Sequence, residues 1–117
     1  MEYHGELKNL MHLYIKNIYR VTKNFSRDEL YGITSQLRRA AVSVILNYIE
    51  GYARRKNDSC RVYKNFLEIS YGSLKESEYL IYFSFTEGYM AKNEYRGLAE
   101  KDNKIGGMIW GVIQKIK

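Results

Sequence analysis

The chain has no proline, one cysteine and two histidines among 117 residues, and each scarcity excludes something. Proline serves in turns and is kept out of helix interiors, so its absence from a chain of this length fits long helices joined by few, short connections. The lone Cys60 cannot close an internal disulfide, which rules out a small secreted scaffold held by bridges and points to a reducing cytoplasm. Both histidines, His4 and His12, fall in the first helical segment, and no Glu-x-x-His pair is present for the di-metal site that some bundles carry. Cys60 has no second cysteine for a zinc site, no glycine-rich phosphate loop occurs, and Glu76 and Glu78 are two apart, on different sides of a helix. The expectation is a protein that is not an enzyme and uses no metal or cofactor. Long apolar runs are also missing. The strongest, residues 40–49 and 105–113, are about half of the roughly 20 residues that cross a bilayer. Met1-Glu2-Tyr3-His4 lacks the basic head and apolar run of a signal peptide. A soluble, cytoplasmic protein without membrane contact is expected.

What is present suits one folded domain over residues 1–117. Hydrophobic residues make up 45% and charged residues 27% of the chain, enough apolar surface for a core and too much for a disordered segment. The formal charge of +6 is unevenly spread: residues 1–64 hold 12 basic and 6 acidic side chains, residues 65–117 hold 7 of each. One basic flank is expected rather than a uniformly basic surface.

Hydrophobic periodicity predicts four helices. In the first, Leu7, Leu10, Met11, Tyr14, Ile15, Ile18 and Val21 share one face, and Lys8, His12, Lys16, Tyr19, Arg20 and Lys23 fall opposite. The second is expected to start at Ser26, with Glu29 completing a capping box and Phe25 and Leu30 a hydrophobic staple. Its main stripe is Leu30, Ile33, Leu37, Ala40, Ala41, Val44, Tyr48 and Tyr52. Val42, Leu46 and Ile49 add a second apolar strip that one bundle core cannot cover, so this helix is either the most buried or the one that meets another subunit. A polar loop, residues 54–59, offers Asp58 or Ser59 as a cap. The third helix is expected over residues 60–87, with Tyr63, Phe66, Leu67, Ser70, Leu74, Ser77, Ile81 and Ser84 inside and Gly88 as C-cap. The fourth begins near Asn93 and uses Tyr95, Leu98, Ile105, Met108, Ile109, Val112 and Ile116. Short connections force consecutive helices antiparallel, giving an all-α, up-down-up-down four-helix bundle.

The stretch Ile33-Thr34-Ser35-Gln36-Leu37-Arg38-Arg39-Ala40-Ala41-Val42-Ser43, continuing to Asn47, Glu50-Gly51-Tyr52 and Arg54, resembles the four-helix-bundle proteins encoded by intervening sequences in bacterial 23S rRNA genes. Phe25, Glu29-Leu30-Tyr31-Gly32, Phe66-Leu67, Gly72-Ser73-Leu74, Glu76 and Gly88-Tyr89 extend the resemblance over nearly the whole chain. The second helix departs from that pattern, with Ile45 and Leu46 where relatives commonly carry a proline and a small residue, and Ile49 in place of another small residue. The resemblance implies a small cytoplasmic bundle forming homo-oligomeric rings, pentamers by expectation. It also implies kinship with the accessory proteins of diversity-generating retroelements, which bind nucleic acid and a reverse transcriptase.

Two constellations carry the functional expectation. Arg54, Arg55 and Lys56, with Arg61 and Lys64 in the next turns, place five cations at one end of the bundle, to be joined by Lys16, Arg20 and Lys23 of the first helix. Such clusters attract phosphates and release condensed counterions, giving sequence-independent, salt-sensitive binding, here expected toward RNA. The bland alternative is a solubilising loop partly neutralised by Asp58. Tyr19, Tyr52 and Tyr63 are candidates to stack on bases, although most of the twelve tyrosines suit bundle packing with the hydroxyl at an edge. Arg39, Ser43, Asn47, Glu50 and Arg54 form a polar stripe beside Val42, Leu46 and Ile49, as at a subunit interface. A solvated face with a surface Glu50–Arg54 pair is the alternative. Gly107-Met108-Ile109-Trp110-Gly111, with Gly106 adjacent, signals close helix approach. The expected function is a non-enzymatic, homo-oligomeric RNA-binding accessory protein. The competing expectation is an interaction scaffold whose ring binds a reverse transcriptase or polymerase.

Overall fold

The computed structural model describes residues 2–56 and 60–116. Four α-helices make up most of it: α1 Tyr3–Thr22, α2 Ser35–Ala53, α3 Arg61–Thr86 and α4 Lys92–Lys115. No strand occurs among the described residues, and no helix there is long and apolar enough to cross a membrane.

Specific side-chain pairs fix the directions. His4 at the start of α1 meets Tyr48 near the end of α2, and Thr22 at the end of α1 meets Arg38 near the start of α2. Ser43 of α2 meets Ser73 of α3, Tyr95 of α4 stacks on Phe85 of α3, and Tyr3 of α1 bonds to Met108 of α4. Each neighbouring pair therefore runs antiparallel around a square, in an envelope of 48 × 26 × 19 Å. The core is the predicted inner stripe: Leu7, Met11, Tyr14 and Ile18 of α1, Leu37, Ala41 and Val44 of α2, Leu67, Leu74 and Ile81 of α3, and Leu98, Ile105 and Ile109 of α4.

α2 and α3 share the most extensive seam, because small residues let their backbones approach. A Cβ on Gly51 would stand 2.7 Å from Phe66 Cβ, and Ser70 Oγ donates to the Val44 carbonyl at 2.6 Å. The glycines of α4 divide differently. A Cβ on Gly106 would stand 3.4 Å from Leu74 Cδ2, while one on Gly107 would meet nothing within 4 Å, so the close approach expected of that motif falls on Gly106. Trp110 is half-exposed beside Tyr71.

The end of α3 is a Schellman turn. Gly88 takes φ +80°, its N–H bonds to Phe85 O at 3.0 Å, and Tyr89 N–H bonds to Ser84 O at 2.8 Å. α4 opens at Lys92, and the Glu94 carboxylate accepts from the Ala91 N–H at 2.8 Å. The start of α3 differs from expectation, since the proposed caps Asp58 and Ser59 lie outside the described residues. Cys60 precedes the helix in the left-handed region (φ 56°), and its thiol reaches the Arg55 carbonyl at 3.5 Å.

The segment before α2 overturns the expected continuous helix from Ser26. A 3-10 turn, Arg27–Glu29, is capped by Ser26 Oγ accepting from the Asp28 N–H at 3.2 Å. An irregular wide turn, Leu30–Thr34, follows, kinked at Gly32 (φ −107°, ψ −110°). Glu29 accepts from the Tyr89 hydroxyl at 3.3 Å. Phe25 turns into the core against Tyr89, while Leu30 stays 41% exposed. Tertiary partners on the α3–α4 turn thus replace the local box and staple.

Candidate functional site

Antiparallel packing divides the cations expected to form one basic flank. The α2–α3 connection sits beside the start of α1, whereas Lys16, Arg20 and Lys23 lie toward its other end. A 20-residue helix spans about 30 Å, so the two groups occupy opposite ends of the bundle.

At the α2–α3 end, much of the charge is already engaged. Arg54 forms an ion pair with Glu50 (Nη2–Oε1 2.5 Å, Nε–Oε1 3.1 Å) and lies 5.5 Å from the Phe66 ring centre. Arg55 donates to the Tyr52 carbonyl at 2.8 Å and stands 3.6 Å from the Tyr52 ring centre. His4 stacks on the same ring at 3.4 Å and 12°. Two groups that close to one ring centre must cover opposite faces, so Tyr52 is sandwiched and has no face for a base. Tyr63 is buried. The expectation that these two tyrosines stack on bases is therefore corrected: aromatic packing uses them. His4 Nδ1 also meets Tyr48 Oη at 2.7 Å. Its pKa is lowered by burial first and by the neighbouring Lys8 and Arg55 charges, against a raising effect of Glu2. Burial raises the Tyr48 pKa strongly. Lys56 and Arg61 are exposed and Lys64 is half-buried.

At the other end the basic surface is broader than expected. His12, Lys16, Arg20 and Lys23 are exposed on the outer side of α1, with Arg20 donating to Asn17 at 2.6 Å. Arg27, Arg38 and Arg39 join them. Three adjoining hollows that share lining residues outline a groove between α1 and the start of α2. The first, about 410 Å³, is lined by Tyr19, Leu30, Tyr31, Thr34, Ser35, Arg38 and Arg39. A second, about 350 Å³, shares Tyr19, Arg38 and Arg39 and runs on to Val42, Leu46 and Asn47. A third shares Leu30, Thr34 and Arg38 and reaches Lys23 and Arg27. Arg38 donates to Thr22 Oγ1 at 2.9 Å and lies 4.6 Å from the Tyr19 ring centre. Tyr31, carried by the irregular turn, is 92% exposed. Thr34 is buried, and its hydroxyl has no hydrogen-bond partner.

The second apolar strip of α2 lies on the outside. Leu46 is 58% and Ile49 44% exposed, and Val42 is half-buried. The polar stripe beside it divides. Arg39 and Glu50 face outward, while Ser43 Oγ meets Ser73 Oγ of α3 at 2.7 Å and Asn47 donates to the Ser43 carbonyl and hydroxyl at 2.9 Å. Ser43 thus joins α2 to α3 within the chain, and Asn47 braces it along α2.

One polar centre escaped the sequence reading. Tyr14 Oη lies 2.7 Å from Ser77 Oγ and 3.1 Å from Asp102 Oδ2, all fully or nearly fully buried. Asp102 falls on the inner face of α4 between Leu98 and Ile105, a position that the apolar stripe passes over.

The architecture defines an all-α antiparallel bundle with a basic groove at one end and an aliphatic strip on one face. A family model described as 23S rRNA-intervening sequence protein matches residues 6–111, and the chain belongs to that family. A solved structure, a protein of unknown function from the S23 ribosomal protein family of Bacteroides thetaiotaomicron VPI-5482, superposes with a TM-score of 0.85 at 16% identity, covering 97% of this chain and 100% of that one. At that identity the likeness concerns the fold. None of the curated proteins compared with the sequence matches it.

Proposed function

We propose that the protein is a non-enzymatic, homo-oligomeric RNA-binding accessory protein of the cytoplasm. The observation that carries this reading is the groove at the α1–α2 end, where Lys23, Arg27, Arg38 and Arg39 line connected hollows beside the exposed Lys16 and Arg20. Only Asp28 and Glu29 oppose them locally in sequence, and Glu29 is engaged by Tyr89. Phosphates would meet the guanidinium groups, and Tyr31 offers an open ring to an unpaired base. This shifts the main contact from the Arg54–Lys56 loop to the opposite end of the bundle. Assembly supports the same reading, since a ring, a pentamer by family resemblance, repeats a weak basic patch and multiplies its effect. The test is titration with a structured RNA as salt is varied and the groove cations are removed.

The exposed Leu46 and Ile49 favour a second reading of the strip, as a docking face for a protein partner such as a reverse transcriptase or polymerase. Recovery of such a partner that survives nuclease and high salt would support it; loss on nuclease treatment would return the interaction to RNA.

A further inference from the structure

On the side of the bundle formed by α3 and α4, a cavity of about 360 Å³ is lined by Glu78, Tyr79, Tyr82, Tyr95, Asp102 and other residues. Its volume falls within the range that holds small molecules. Asp102 is only 2% exposed, and its two carboxylate oxygens differ. Oδ2 accepts from the Tyr14 hydroxyl, while Oδ1 is buried with no hydrogen-bond partner. Glu78 adds a second carboxylate to the same lining. A buried carboxylate without a donor is costly, and a like charge beside it raises that cost. In the empty cavity a proton on Asp102 offsets that cost, and a positive group seated between the two carboxyls would take its place. Lys75 does not supply it. Its Nζ lies 3.5 Å from Glu78 Oε2 in a half-exposed surface pair, and Lys75 is not part of the cavity lining.

We propose that this cavity is a binding site for a small organic cation, an ammonium with an apolar body. Asp102 and Glu78 receive the charged head, and Tyr79, Tyr82 and Tyr95 border the body. An ammonium brings three donors, enough for Oδ1 and a Glu78 oxygen together. The ring faces attract cations, and their apolar area accepts a hydrocarbon group. A metal fits less well, because no group of three or more His, Cys, Asp or Glu suited to a metal occurs among the described residues. The site is separate from the basic groove and does not depend on RNA binding.

The test uses benzylamine and its neutral counterpart benzyl alcohol on the full chain, followed by calorimetry and amide chemical shifts. Benzylamine is expected to bind saturably and to shift amides around Glu78 and Asp102, with benzyl alcohol about tenfold weaker or more. Asp102→Asn and Glu78→Gln are each expected to weaken benzylamine by about tenfold while helicity is retained. Glu78 is partly exposed, so the second variant decides the matter if the first does not fold. Absence of saturable benzylamine binding, equal affinity for the two probes, or unchanged affinity in folded Glu78→Gln would overturn the proposal.

Discussion

Tyr14 and Asp102 meet across the α1–α4 seam, with the phenol donating to Asp102 Oδ2 at 3.1 Å inside the core. The bond ties α1 to α4, and Ser77 Oγ, 2.7 Å from the same phenol, ties both to α3. Burial pushes the Tyr14 pKa well above its ordinary value, so the phenol stays protonated and able to donate.

The same centre predicts a pH dependence of stability. Burial first, and then the neighbouring Glu78 carboxyl, push Asp102 from an ordinary carboxylate pKa of 3.8 up to about 8, against lowering effects of Tyr14 and Lys75. Between those values the folded chain holds a proton that the unfolded chain releases, so this group's contribution to stability falls as pH rises from about 4 to about 8 and levels off above. Urea unfolding across that range should show the decline in the wild type and a flatter profile in Asp102→Asn. Parallel profiles for the two proteins would remove Asp102 as the cause.

The space around two glycines, Gly51 in the α2–α3 seam and Gly107 on α4, predicts opposite outcomes for their change to alanine. At Gly51 the added methyl would meet Phe66 Cβ at 2.7 Å and the Tyr63 ring and carbonyl at 3.3 Å, an overpacking that costs about 1–3 kcal/mol. At Gly107, where nothing lies within 4 Å, alanine should leave stability unchanged or raise it by up to about 1 kcal/mol through helix propensity. Thermal melts of the two variants make the comparison.

Much of this arrangement was legible in the sequence because it is local. Leu7, Met11, Tyr14 and Ile18 share one helical face whatever surrounds them, and a glycine after a long apolar stripe marks the end of α3. The segment before α2 was not legible, since Glu29 and Phe25 are drawn to Tyr89, 60 residues or more away in sequence. The basic groove was hidden for a similar reason. Arg38 and Tyr31 come beside Tyr19 only through the kink at Gly32 and the packing of α1 on α2, and sequence proximity favoured the Arg54–Lys56 loop. Asp102 broke the apolar stripe of α4, but its partners on α1 and α3 could not be paired with it from spacing alone.

The outer strip of α2 predicts an assembly. Changing Val42, Leu46 and Ile49 to glutamate should reduce the mass measured by light scattering to that of one chain while the helical circular dichroism is kept, because these side chains are exposed or half-buried in the isolated bundle. A wild type that is already monomeric, or a variant whose mass does not change, would show that the strip does not join copies.

The central claim is that the groove between α1 and α2 binds RNA. Its most direct test is to titrate one structured RNA into the wild type at low and at physiological salt. The same titration is then made with a variant in which Lys16, Arg20, Lys23, Arg38 and Arg39 are alanine, and with one in which Arg54, Arg55 and Lys56 are alanine. The account predicts salt-dependent binding by the wild type. It predicts loss of about tenfold or more in affinity and a shallower salt slope in the first variant, with a smaller loss in the second. No binding at low salt, or a larger loss from the loop variant than from the groove variant, would contradict it.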